Sequence, residues 1–79
     1  MLLAQRESHI NFVLSALSQR NNLVYNKSSI IKIIDILIKE NEFPRQNKIL
    51  VQIKSELMRK ELNFKNIERM SNELRAVDE

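Results

Sequence analysis

One nine-residue segment, residues 30–38, constrains the fold of this chain more than any other feature. Its sequence is IIKIIDILI, and seven of the nine residues are Ile or Leu. The polar residues Lys32, Asp35 and the following Lys39 recur every three to four positions, which is the period of a helix rather than of a strand. A helix with so narrow a polar stripe must be buried on most sides, within a bundle or against a partner.

The composition of the whole chain also favours helices. Its 79 residues include no Gly and one Pro, whereas the tight turns of sheet proteins commonly need Gly. The length allows a single domain over residues 1–79, and cores this small are often completed by oligomerisation. We therefore predict an all-α fold, a small bundle of three to four helices that forms a dimer.

Apolar periodicity places the first two helices. Residues 3–19 carry an inward stripe at helical spacing, formed by Ile10, Val13, Leu14 and Leu17. The Asn pair at 21 and 22 is expected to end this helix, because Asn tolerates the left-handed conformation that Gly usually supplies. A second helix is predicted over 27–40, with Asn26 or Ser28 as its N-cap.

The second half of the chain permits two interpretations. Pro44 fits the first turn of a third helix, 44–62, whose inward residues are Leu50, Ile53 and Leu57. Asn63 is then expected to cap a fourth helix over 64–76, with Ile67, Met70, Leu74 and Val77 on its apolar face. The alternative is one long helix over 45–77 with a heptad seam. We favour the separate fourth helix.

The residue types argue against catalysis. The chain has no Cys and no Thr, its one His is His9, and a phosphate-binding loop would need the Gly that it lacks. No pair of acids and His9 has the spacing of a helical metal site. We predict no catalytic, cofactor-binding or metal-binding residues and no small-molecule substrate. His9 is interpreted as a boundary residue without a role.

The N-terminal sequence lacks the features of a signal peptide, and the longest apolar run is too short to span a bilayer. We therefore expect a cytoplasmic protein without membrane contact. The abundance of Ile, Asn and Lys suggests an AT-rich coding sequence and a bacterial origin.

Charge is unevenly placed along the chain. The net charge is +3, and residues 43–65 hold six Lys or Arg against two acids. The start of the third helix carries side chains of the kinds that reach base edges and phosphates: Arg45, Gln46, Asn47, Lys48 and Gln52. A helix-turn-helix-like DNA-binding transcriptional regulator is therefore one alternative.

Protein binding is the other function that the pattern predicts, and the one that we favour. The second helix has more apolar surface than a small monomer needs, so a two-fold dimer or a larger protein partner could cover the excess. The predicted interface residues are Ile31, Ile34, Leu37 and Ile38, with Phe12 and Met70 as lesser candidates. The predicted function is a small regulatory adaptor in signalling or transcription control.

A family resemblance agrees with this prediction. Glu7-Ser8, the segment from Val24 to Lys27, and then Ile30-Ile31, Ile34, Leu37 and Glu40 resemble the YmgB/AriR-type biofilm and acid-resistance regulators of enterobacteria. The resemblance covers residues 7–58, and the chain departs from the family by lacking a Gly in the first helix and in the connection. It implies a small helical dimer that acts as a connector to two-component phosphorelays, a family for which association with DNA is also described.

Overall fold

The computed structural model describes residues 3–78, which form four α-helices and one short 3-10 helix. The helices are α1 (Leu3–Ser18), α2 (Leu23–Ile38), α3 (Pro44–Leu57) and α4 (Phe64–Ala76), and the 3-10 helix Arg20–Asn22 joins α1 to α2. The predicted all-α class is confirmed, and so is the separate fourth helix. The alternative of one helix over 45–77 is wrong.

The four helices close into a ring around one core. α1 packs against α2 and α4, and α3 packs against the same two helices from the other side. The radius of gyration is 11.6 Å, which matches the value of about 11.6 Å expected for a compact chain of this length. Every helix contributes to the core, whose largest fully buried apolar residues are Val13, Leu23, Ile30, Ile34, Leu37, Leu50, Ile53, Leu57 and Ile67.

The predicted inward faces of α3 and α4 are confirmed. Leu50, Ile53 and Leu57 are fully buried, and the apolar face of α4 is buried at Ile67, Met70 and Leu74. Val77, the fourth residue predicted for that face, follows α4 and is half-buried. The polar stripe of α2 also lies as predicted, since Lys32 and Lys39 are exposed and Asp35 is half-buried at its edge. Helical periodicity therefore predicted which faces are buried.

The predicted start of α2 is wrong by four residues. α2 begins at Leu23, so Asn26 and Ser28 both lie inside the helix and neither caps it. The physical reason is Leu23 itself, which is fully buried and extends the apolar face of α2 by one turn. The 3-10 turn closes through a hydrogen bond of 3.0 Å from the Asn22 amide to the Gln19 carbonyl. No described residue has a positive φ, so the Asn pair does not act through the left-handed conformation.

The connection from α3 to α4 is longer than predicted. α3 ends at Leu57 rather than at residue 62, and residues 58–63 form a turn in which Leu62 packs against the core. Asn63 caps α4 as predicted: its backbone is extended, and its Oδ1 accepts a hydrogen bond of 3.1 Å from the Asn66 amide. This cap starts α4 in a new direction, which lets it pack back onto α1.

Candidate functional site: the α2–α3 groove and the Arg6 clasp

The most buried charged side chain among the described residues belongs to α1. Arg6, on α1, is 1% exposed. Its Nη1 donates to the Leu37 carbonyl at 2.9 Å and to Glu40 Oε1 at 3.3 Å. Its Nε donates to Gln46 Oε1 at 3.0 Å, and its Nη2 donates to Asn47 Oδ1 at 2.8 Å. We call this cluster the Arg6 clasp, because one side chain of α1 holds both ends of the α2–α3 turn.

The clasp completes the C-terminal end of α2. Leu37 belongs to the last turn of α2, where the helix dipole favours a cation, and its carbonyl accepts from the Glu40 amide at 3.2 Å as well as from Arg6. Asn47 strengthens the same turn, because its Nδ2 donates to the Glu40 carbonyl at 2.6 Å. The Arg6 guanidinium also lies 4.0 Å from the centre of the Phe43 ring, within the range of a cation–π contact. The α2–α3 turn is therefore fixed by polar contacts rather than by apolar packing alone.

A shallow apolar groove lies on the surface where α2 meets α3. It has a volume of about 430 Å³ and is lined by Ile38, Val51, Lys54, Ser55, Met58 and Arg59. Val51 is 50% exposed and Met58 is 67% exposed, although both are large apolar side chains. Positions 47, 51 and 54 of α3 and its C-cap residue Met58 lie on one flank of the helix, so the groove runs away from the Arg6 clasp. We call this surface the α2–α3 groove.

The groove is edged by positive charge. An ion pair joins its two walls, with Lys54 Nζ 2.6 Å from Asp35 Oδ1. Arg59, which follows α3, is also paired, with its Nη1 3.3 Å from Glu56 Oε2, so both cations that line the groove have a carboxylate partner. Lys48 lies three residues before Val51 on α3 and is exposed, so it adds a positive charge beside the groove that attracts negatively charged groups.

The predicted interface residues separate into three groups. Ile34 and Leu37 are fully buried and Met70 is 7% exposed, so these three belong to the core of the single chain and present no surface to a partner. Ile31 and Ile38 are half-buried, and Ile38 lines the α2–α3 groove. Phe12, on α1, is exposed but does not line that groove.

The predicted nucleic-acid contacts also separate. Gln46 and Asn47 are turned toward Arg6 and half-buried, so their side-chain oxygens are occupied within the chain. Arg45, Lys48 and Gln52 lie on the exposed face of α3. The structure therefore does not bring the five predicted residues together on one surface.

Sequence reasoning missed the two residues that make the groove apolar and the cation that organises its end. Val51 and Met58 are not among the predicted site residues, because they lie beside the inward stripe of α3 rather than on it. Arg6 is not among them either, although it lies four residues before Ile10 and seven before Val13, on the inward stripe of α1. That spacing was the signal that could have identified it.

Other kinds of site have little support in the described residues. Within residues 3–78, no three His, Asp or Glu side chains are grouped as metal ligands would be. None of the helices in this range combines the length and the hydropathy of a membrane span. His9 is half-buried, and its Nδ1 has no hydrogen-bond partner in the described part of the chain.

Comparison with known proteins found no matching family model, no matching curated protein and no matching solved structure.

Proposed function

We propose that this protein is a small non-enzymatic regulatory adaptor that binds an acidic amphipathic helix of a partner protein in the α2–α3 groove. The observation that carries the proposal is the exposure of Val51 and Met58 beside Ile38. Covering a large apolar side chain contributes roughly 1.5–3 kcal/mol when burial is complete. A partner that covers this groove would gain that free energy at a surface that the monomer leaves open.

The length of the groove fits one face of a helix. Met58, the C-cap residue of α3, keeps a helical backbone and lies seven residues after Val51, which corresponds to about 10 Å along the helix axis. Anchor residues at positions i, i+3 or i+4, and i+7 of a bound helix cover the same distance. A partner helix that lies along the groove would therefore place three apolar side chains against Ile38, Val51 and Met58.

The positive charge beside this groove favours an acidic partner helix over a second copy of the chain. A second copy of the chain, bound groove to groove in a two-fold dimer, would bring the exposed Lys48 of one copy toward Lys48 of the other. Like charges in such an arrangement repel, whereas Glu and Asp side chains at the edges of a partner helix would be attracted. The homodimer remains a prediction, and Lys48 favours a different, acidic partner.

DNA binding is the weaker proposal. A recognition helix would use the first turns of α3, and there Gln46 and Asn47 already bond Arg6. Arg45, Lys48 and Gln52 are exposed on the same helix, and they would suit contacts to phosphate better than base readout.

The test uses two designed peptides with the same apolar face. Each is a helix of about five turns with Leu at i, i+3, i+4 and i+7; one carries Glu at its other positions and the second carries Lys. Binding is followed by fluorescence anisotropy and by backbone amide shifts in nitrogen-15 NMR spectra. We expect micromolar binding of the Glu peptide, shifts centred on the groove, and at least tenfold weaker binding of the Lys peptide.

Matched variants connect this binding to the groove. Met58→Glu should weaken binding of the Glu peptide at least tenfold. Val24→Glu, which places the same charge at an exposed apolar residue outside the groove, should leave it unchanged. Absence of binding, or shifts elsewhere, would contradict the proposal. A dimer in sedimentation that Met58→Glu dissociates would make a second copy the occupant, and salt-sensitive binding of duplex DNA would support the regulator that contacts DNA.

A further inference from the structure

A second concavity lies on another side of the bundle, between the end of α1 and α4. Its volume is about 390 Å³, and it is lined by Leu17, Ser18, Arg20, Phe64, Ile67, Glu68, Ser71, Asn72 and Arg75. Leu17 and Ile67 are buried and supply an apolar floor. On α4, residues 64, 68, 71 and 75 recur at helical spacing, so one face of the helix forms the wall of this cavity.

Two small side chains leave this space open. Ser71 is buried, and its Oγ donates to the Ile67 carbonyl at 2.8 Å. Ser18, on α1, likewise turns its Oγ back to the Ser15 carbonyl at 2.6 Å. Both hydroxyl hydrogens are therefore directed to the backbone of their own helix. These two hydroxyl groups therefore do not donate to a ligand, which would meet this part of the wall mainly through apolar contacts.

Two guanidinium groups border the same cavity. Arg20 lies 5.0 Å from the centre of the Phe64 ring and 3.9 Å from Glu68, and its side chain remains 60% exposed. Arg75 donates to Asn72 Oδ1 at 3.1 Å, and this neutral amide does not compensate the positive charge. Two cations against the carboxylate of Glu68 leave the cavity with an excess of positive charge.

We propose that this cavity binds a small aromatic carboxylate. The aromatic ring would lie against the half-buried Phe64, above the buried side chains of Leu17 and Ile67, and the carboxylate would accept hydrogen bonds from the guanidinium groups of Arg20 and Arg75. Arginine forms two parallel bonds to a carboxylate, which favours this class of anion over a neutral ligand of the same shape. The proposal does not depend on the α2–α3 groove, and the two sites can be tested separately.

The test is an NMR titration of the intact chain with benzoate, with benzamide as the neutral probe of the same shape. Backbone amides and the arginine Nε–H groups are followed by nitrogen-15 NMR. We expect saturable shifts confined to the residues that line the cavity, with a Kd of about 1 mM for a ligand this small. Benzamide should bind at least tenfold more weakly.

Three variants connect the effect to the guanidinium groups. Arg20→Gln and Arg75→Gln should each weaken benzoate binding at least fivefold. Arg69→Gln removes an exposed arginine of the same helix that does not line the cavity, and it should leave the affinity unchanged. The proposal is overturned if benzoate gives no saturable shift up to about twenty times the expected Kd. Equal binding of benzamide, or equal weakening by Arg69→Gln, would overturn it as well.

Discussion

Replacing Arg6 by Met tests whether the Arg6 clasp stabilises the fold. Met keeps an unbranched stem against the core and removes the guanidinium group. The Leu37 carbonyl, Gln46 Oε1 and Asn47 Oδ1 would each lose a charged donor, although the Leu37 carbonyl keeps the Glu40 amide as a second donor at 3.2 Å. A hydrogen bond to a charged group contributes about 1.5–3 kcal/mol. The Leu37 bond is buried, whereas the two amide bonds are partly accessible and can recover part of that loss from water.

The expected loss in the free energy of unfolding is about 2–4 kcal/mol, near the lower limit for breaking a buried ion pair. The loss in the free energy of unfolding should not be larger than this, because the Glu40 side chain is partly exposed and can be hydrated when Arg6 is removed. Domains of ordinary stability have only about 5–15 kcal/mol in total. For a chain of this size, the melting temperature should fall by roughly 10–25 °C.

The measurement is urea unfolding followed by far-ultraviolet circular dichroism, with comparison of midpoint and slope. The midpoint should fall while the slope stays constant, because the surface exposed on unfolding changes little. Arg69→Met is the matched control: Arg69 is exposed, and its replacement should change the free energy of unfolding by less than about 0.5 kcal/mol. A loss below about 1 kcal/mol for Arg6→Met would refute this expectation. The hydrogen bonds of Arg6 would then barely exceed the cost of removing its charge from water.

Arg6→Lys separates charge from geometry. Lysine keeps the positive charge but replaces the planar fork of donors with a single ammonium group, which cannot reach the Leu37 carbonyl and both amide oxygens from one position. We expect Lys to recover less than half of the stability lost in Arg6→Met. Recovery of nearly all of it would show that charge next to Glu40 and the end of α2, not the fork, stabilises this turn.

Three further substitutions test the core, the cap and the bridging ion pair. Ile34→Asp places a carboxylate at a fully buried position and should abolish cooperative unfolding in circular dichroism; a folded variant would contradict the core assignment. Asn63→Ala removes the hydrogen bond to the Asn66 amide and should lower stability by about 1 kcal/mol in urea unfolding, with no loss expected if the cap is dispensable. Asp35→Asn breaks the pair with Lys54, and because both side chains are more than 30% exposed, the loss should stay below about 1 kcal/mol and shrink at high salt.

Much of the fold could be predicted from the sequence because burial of a helix face is a local pattern. Leu50, Ile53 and Leu57 are spaced 3 and 4 apart, and no knowledge of distant residues was needed to place them in the core. The cap at Asn63 was equally local, since its partner Asn66 is three residues away. The start of α2 could not be placed by capping residues alone, because the core requirement of Leu23 outweighed the cap preference of Asn26.

The Arg6 clasp could not be predicted in the same way. Its bonds join residues that are 31 to 41 positions apart, so local periodicity contains no information on the partners. A charged residue on an apolar stripe is usually exposed, and its burial becomes favourable only when several acceptors surround it. The same contacts explain why Gln46 and Asn47, typical base-reading residues by type, lie inward.

The packing of α2 between α1 and α3 explains the apolar run in residues 30–38. Ile30, Ile34 and Leu37 fill the core, while Ile31, Ile33 and Ile38 are half-buried against it. Most of the surface that suggested a dimer is therefore covered within one chain. Ile36 of the run is 41% exposed, and the large apolar side chains left open beside the helix are Val51 on α3 and Met58, which follows α3.

The burial of Ile34 and the exposure of Met58 determine which residue can be substituted to test an interface. A substitution at Ile34 changes the core, so loss of binding in Ile34→Asp would report unfolding and could not distinguish a partner from the monomer's own packing. Met58 is 67% exposed, so Met58→Glu changes the surface while the core residues keep their contacts. Only a loss of binding with unchanged unfolding free energy identifies an interface, and the α2–α3 groove is a surface where that combination can be observed.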